Sequence, residues 1–236
     1  MKIVEPIVYV EPYDGVKIMK RLERACRTCY RSEDTISDTS YKTLLKNCIN
    51  RGHESILEHE KISIRMICDI GVYKDLTRHR IASFSIESTR YCNYGRDKFD
   101  NQIKFIKPVF YTDTWIDRNY EGSTMTEDEH KSMLWYRCME DIEESYLNMT
   151  KIGCKPDELR MLLPHSTAAE VNMTANIREW KHILSLRCTN HAHPAIQQIL
   201  IPLLLKFKED MPEIFDSVDY NTNFNPEKYA KLEIME

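Results

Sequence analysis

Residues 166–188 read STAAEVNMTANIREWKHILSLRC. The first half, 166–177, is small, β-tolerant and partly alternating, which predicts an extended segment. From Arg178 to Cys188 the spacing is helical, and Trp180, Ile183 and Leu184 mark a buried stripe. Arg187 falls seven, four and three positions after those residues and so lies on the same stripe. An arginine on a core face is paired or functional, because an unpaired buried charge costs several kcal/mol. No carboxylate of that helix stands near it on that face. A structural ion pair, a snorkelling side chain and a ligand contact are the alternatives.

Working outward, residues 2–10 (KIVEPIVYV) predict a strand with Pro6 at an edge position. Helices are predicted from Gly15 to Tyr30 and from Ser40 to Asn50, the second stopped by Gly52. A polar segment, residues 52–59, precedes a strand in which Ile62, Ile64, Met66 and Cys68 alternate with polar residues. Gly71 to Arg80 predicts a helix, and 102–110 a second strand. Thr126-Glu127-Asp128-Glu129 is a capping box opening a long helix, with Leu134, Cys138, Ile142 and Tyr146 on one face and Glu140, Asp141, Glu143 and Glu144 on a solvated one. A short helix starts at Pro156 and ends before Pro164. A last helix starts at Pro194 and bends at Pro202. Strands and helices do not alternate as in βαβ units. The expected fold class is therefore α+β, a single domain over residues 1–236 with a largely antiparallel sheet.

The 236 residues are 42% hydrophobic and 30% charged, which fits a globular protein and excludes a wholly disordered one. The longest apolar run, Ile199 to Leu205, contains Pro202 and is too short to span a bilayer. No secretory pattern opens the chain, so the expectation is a cytoplasmic protein without a membrane partner. A net charge of -4 argues against a general nucleic-acid binder and permits a local basic pocket. The 8 cysteines are scattered, and Cys26-Arg27-Thr28-Cys29 has no second pair at zinc-site spacing. His191 and His193 lack a carboxylate or cysteine at fixed spacing, so no metal is expected, and the following Pro194 suits the start of a helix. The 6 glycines are dispersed, which leaves neither a dinucleotide fingerprint nor a phosphate-binding loop. Any bound phosphate would be held largely by side chains.

One stretch supplies such side chains. Residues 78–91 read RHRIASFSIESTRY, three arginines and a histidine separated by apolar residues. Guanidinium forks match phosphate and carboxylate oxygens in pairs. Further arginines with apolar neighbours stand at 160, 178 and 187. Asn176, Arg178 and His182 can gather at one helix start, an arrangement suited to a polar cofactor.

Arg78-His79-Arg80 followed by Ser88, with Arg90 and Tyr91, resembles the signature of the flavin-dependent thymidylate synthases. The segment Gly52-His53-Glu54-Ser55…Glu58-His59 resembles that family's upstream flavin-contacting element. Leu159-Arg160 before Leu163-Pro164, and Asn176-x-Arg178…His182…Arg187, match its later elements in the same order. The resemblance implies a methyltransferase that converts dUMP to dTMP, with 5,10-methylenetetrahydrofolate as carbon donor and NADPH as reductant through FAD. It implies a homotetramer with active sites shared between subunits. By similarity, Asp75, Arg78, Glu87, Ser88, Thr89, Arg90, Arg160 and Arg187 would bind dUMP. His53, Ser55, Glu58, Arg78, His79, Arg80, Asn176, Arg178 and His182 would bind FAD. Arg187 would be catalytic, its fixed cation favouring ionisation of the uracil ring.

Three positions depart from the family pattern: Ser85-Ile86 stands where Asn-Glu is frequent, with Glu87 one position later, Asp75 where glutamine is common, and His182 where some members have asparagine. An acidic Asp75 beside a phosphate would repel it, so pairing with an arginine or an orientation towards the ring is expected. The alternatives are a nucleic-acid-binding module that uses the same arginines, and a flavin-binding homologue without synthase activity.

Overall fold

A computed structural model describes residues 1–29, 31–116 and 124–235. Tyr30, where the first helix was expected to end, and Gly122 lie outside the described residues. In chain order the elements are β1 (Lys2–Val4), β2 (Ile7–Val10), α1 (Gly15–Thr28), α2 (Ser40–Asn50), β3 (Lys61–Asp69), α3 (Ile70–Leu76), β4 (Ala82–Ile86), β5 (Lys104–Ile106), α4 (Glu127–Lys151), α5 (Pro156–Leu159), β6 (Ala168–Asn176), α6 (Ile177–Arg187), α7 (Pro194–Asp210), α8 (Pro212–Phe215) and β7 (Lys231–Ile234). Short 3-10 turns include Glu54–His59 and Arg160–Leu162. The α+β class holds, but the sheet is mixed. β2 pairs with β7 in parallel within a five-stranded sheet ordered β4-β6-β3-β2-β7, and β1 pairs with β5 in parallel.

The chain forms two compact units, interleaved in sequence, each built from three segments. The first comprises Met1–Pro6, Ile67–Lys74 and Ile86–Glu170. Its core gathers Tyr94, Ile103, Phe105, Met139, Tyr146 and Leu159 beneath α4. The capping box forms as expected: Glu129 N–H donates to the Thr126 hydroxyl, and Thr126 N–H donates to the Glu129 carboxylate. The buried face of α4 differs from the expected one. Leu134 and Cys138 are exposed, while Ser132, Met139 and Glu143 are buried beside Tyr146. Glu143 is buried because its carboxylate accepts the Ile103 N–H at 2.7 Å. A stripe containing polar residues with partners is invisible to hydrophobic periodicity alone.

The second unit comprises Ile7–Met66, Asp75–Ser85 and Val171–Glu236. Its core holds Leu22, Leu45, Leu57, Ile64 and Met66 with Trp180, Ile183, Leu184, Phe207 and Phe215, all nearly or fully buried. Trp180 stacks edge-on to Phe207 and donates its indole N–H to the Ile62 carbonyl at 3.0 Å, which fixes α6. His193 begins α7, its Nδ1 accepting the Ala195 N–H. Pro202 sits inside that helix.

Other expected elements shorten for local reasons. Pro6 cannot donate to a ladder, so residues 2–10 become two strands in different sheets. Pro108 limits the 102–110 strand to three residues. The helix expected to reach Arg80 ends at Leu76, where Arg78 N–H and His79 N–H turn back to the Asp75 and Leu76 carbonyls. Cys26 is buried with its sulfur 3.3 Å from that of Cys48, and burial pushes its thiol up to about 12. Among the described residues no helix is long and apolar enough to cross a membrane.

Candidate functional site

The tight turn after α3 places His79 against α6 in the second unit. Asn176 caps α6, its side-chain oxygen accepting the Glu179 N–H at 2.8 Å. With the helix start fixed, Glu179, His182 and Arg187 come to lie around the buried His79 ring. Arg187 donates from Nε to His79 Nε2 at 3.1 Å and from Nη2 to the Asp75 carbonyl at 3.0 Å. Its Nη1 lies 4.0 Å from the Asp75 carboxylate, the arginine neighbour expected for that acid. The Arg187 side chain is only 25% exposed and two of its three nitrogens donate hydrogen bonds within the chain. Nη1 has the Asp75 carboxylate as its partner.

His79 faces the Glu179 carboxylate through Nδ1 at 3.5 Å, and its ring meets that of His182 edge-on at 5.9 Å. Burial lowers the His79 pKa to about 4, and the Arg187 charge adds to the effect. An arginine Nε–H can only donate, so His79 Nε2 must accept and the ring proton sits on Nδ1.

A polar cleft of about 750 Å³ runs along the start of α6, lined by Glu54, Glu58, Ile81, Asn176, Arg178, Glu179, Lys181, His182 and Ser185, with Thr189 and residues 217–219. Arg178 pairs with Glu58 at 2.6 Å and Lys181 pairs with Glu54. The Arg178–Glu58 pair is about half exposed on both sides, and such pairs contribute ~0–1 kcal/mol. An incoming phosphate can therefore take Arg178 from its carboxylate at little cost. A guanidinium, an ammonium, an imidazole, an amide and a hydroxyl along α6 could hold a polar, phosphate-bearing cofactor. His53 and Ser55 are exposed beside this cleft in sequence and do not line it. Arg78 and Arg80 are exposed, and among the described residues neither has a carboxylate partner.

In the first unit, residues 87–94 form a self-bonded turn. Glu87 accepts from the Tyr94 hydroxyl at 2.9 Å and from Glu170 N–H at 3.3 Å. Tyr91 and Cys92 N–H groups both donate to the Ser88 carbonyl at 3.0 Å. Burial and the Glu87 carboxylate raise the Tyr94 pKa. Thr89 is half-buried, and Arg90 projects outward with its guanidinium over the Tyr91 ring. Arg160 is exposed at the start of its 3-10 turn, where its charge opposes the upward shift that burial gives Tyr73. The same unit thus offers two exposed guanidiniums without carboxylate partners among the described residues.

A family model described as "Thymidylate synthase complementing protein" matches residues 16–213. The chain belongs to the flavin-dependent thymidylate synthase family. Relatives bearing that name include the Geobacter sulfurreducens protein, 25% identical with 81% of this chain and 78% of that one covered. The Corynebacterium efficiens protein is 27% identical over 85% and 80%, and the Thermosipho melanesiensis protein 28% identical over 75% and 75%. A solved UMP/dUMP methylase, PolB from Streptomyces cacaoi bound with 5-Br dUMP, has the same fold, with TM-score 0.72, 22% identity and coverage of 92% and 96%. The family match runs from α1 into α8 and includes every site residue named above except 217–219 of the cleft lining.

For a flavin-dependent thymidylate synthase the sequence reading overlooked three groups at this site. Glu179, the partner of the His79 ring, passes for an ordinary acidic residue in a first helical turn. Lys181 and Ser185 continue the polar side of α6, three positions after Arg178 and His182, and that spacing could have found them.

Proposed function

We propose that this enzyme reductively methylates dUMP to dTMP, taking the one-carbon unit from 5,10-methylenetetrahydrofolate and reducing equivalents from NADPH through FAD. The observation that carries the reading is Arg187, a half-buried cation fixed by two hydrogen bonds, with Nη1 4.0 Å from the Asp75 carboxylate. Such a fixed charge stabilises negative charge developing on a pyrimidine ring without reorganisation, which makes the ring a better nucleophile. Asn176, Arg178 and His182 hold FAD along the α6 cleft, with Glu58 releasing Arg178 as the cofactor enters. Arg78 and Arg80 meet FAD phosphates from another subunit of a homotetramer, and His53 and Ser55 contribute nearby polar contacts. Arg78, Arg90 and Arg160 bind the dUMP phosphate, and Ser88 and Thr89 supply hydroxyl and backbone contacts to the nucleotide. FAD, when bound, supplies the hydride chemistry.

Family membership and the neighbouring methylase of the same fold support a pyrimidine mononucleotide as acceptor. The test is whether FAD-reconstituted protein consumes NADPH and forms dTMP only with both dUMP and methylenetetrahydrofolate present, with UMP assayed in parallel. Salt-dependent binding of DNA or RNA without mononucleotide affinity would favour a nucleic-acid module instead. Flavin binding without dTMP formation would favour a homologue lacking synthase activity.

A further inference from the structure

We propose that Glu179 and His79 are positioning residues, a buried polar chain that holds the Arg187 guanidinium in its working orientation. This rests on the catalytic assignment of Arg187 given above. Three observations carry it. Arg187 Nε reaches His79 Nε2 at 3.1 Å, and His79 Nδ1 turns to the Glu179 carboxylate at 3.5 Å. His79 is 6% exposed and Glu179 7%, so neither side chain is arranged as a surface group. Glu179 also stands in the first turn of α6, where the helix dipole favours a negative charge.

The chain has a direction. Glu179 selects the ring tautomer with its proton on Nδ1, which leaves Nε2 bare to accept from Arg187. A protonated ring would present an N–H to the Arg187 Nε–H, and the guanidinium would have to leave. Four charged or titratable groups face the ring: Glu179, His182 and Arg187 from α6, and Asp75 from α3. The Arg187 cation and the buried setting oppose ring protonation, so the acceptor persists at neutral pH. Without Glu179, no carboxylate faces the Nδ1 side of the ring, the imidazole is held from the Arg187 side alone, and Arg187 is left to choose among orientations. Misplacing a catalytic group by about 1 Å costs roughly 100-fold in rate.

The test compares Glu179→Ala and Glu179→Gln with the parent holoenzyme. Assayed at saturating FAD, Glu179→Ala should lower kcat about 10- to 100-fold while dUMP KM and melting temperature stay within about twofold or a few degrees. Glu179→Gln keeps an oxygen for the Nδ1 proton and should restore kcat to within about threefold of the parent. If Glu179→Ala does not fold, His79→Gln against His79→Leu repeats the comparison, since only glutamine can accept from Arg187. Unchanged kcat in Glu179→Ala, a Gln variant as impaired as the Ala one, or losses that follow FAD occupancy would overturn the proposal. Crystal structures of the parent and Glu179→Ala separate this from failure of the thymidylate synthase reading. An inactive parent refutes that reading alone, whereas an Arg187–His79 contact unchanged in Glu179→Ala refutes the positioning role whatever the activity.

Discussion

Arg187 donates from Nε to Nε2 of a neutral, buried His79, so a guanidinium on a core-facing stripe is anchored by an imidazole, with the Asp75 carboxylate standing off at 4.0 Å. A tight salt bridge would offset the charge that a catalytic cation needs. A neutral imidazole and a backbone carbonyl orient the group and offset its charge less than a contact ion pair would.

Removing that cation should separate chemistry from folding. Arg187→Ala is expected to lower kcat by about 100- to 1,000-fold, the usual cost of losing one preorganised electrostatic group. Circular dichroism and flavin absorbance should stay close to those of the parent. Turnover equal to the parent would remove Arg187 from the mechanism.

The lowered pKa of His79 has a defined sign. The ring takes up a proton near pH 6.5 when unfolded and near 4 when folded, so the unfolded state binds more protons between these values. The stabilisation is full above about pH 6.5 and is lost as pH falls to about 4, an effect on the order of 3 kcal/mol. Urea unfolding at pH 4.5 and 7.5 should show a larger stability loss on acidification in the parent than in His79→Gln. Equal losses would mean that the ring titrates normally.

Arg178→Ala distinguishes a ligand contact from a structural pair. The Arg178–Glu58 pair is exposed on both sides, so unfolding free energy should change by less than ~1 kcal/mol. FAD affinity, measured by fluorescence titration of apoprotein, should fall about tenfold or more through loss of a charge-assisted contact. Unchanged FAD affinity would move the cofactor away from this end of α6.

The Glu87–Tyr94 bond carries structure. Tyr94→Phe leaves the half-buried Glu87 carboxylate with its Glu170 N–H partner and removes a hydrogen bond to a charged acceptor. Chemical denaturation should show a loss of about 1–3 kcal/mol. A loss below about 0.5 kcal/mol would show that the hydroxyl contributes little.

The legible parts of this protein were those written in local chemistry. Trp180, Ile183 and Leu184 announced α6, Thr126 and Glu129 announced the start of α4, and Asn176 stood where a cap belongs. The illegible parts depended on distant partners. Glu143 reads as solvated until Ile103 N–H is seen donating to it, and the parallel pairing of β2 with β7 joins strands more than 200 residues apart. Arg187 was visible as an anomaly because it broke a hydrophobic stripe. Its anchor was not, because His79 lies 108 positions away and belongs to a motif that reads as a ligand site.

The most direct measurement is dUMP- and methylenetetrahydrofolate-dependent NADPH oxidation by the FAD-reconstituted full chain, with the nucleotide product identified by mass spectrometry. The expected result is dTMP formed in step with NADPH consumed, absent when either dUMP or the folate is omitted and reduced at least 100-fold in Arg187→Ala. NADPH oxidation that yields no methylated nucleotide, or dTMP formation undiminished in Arg187→Ala, would contradict it.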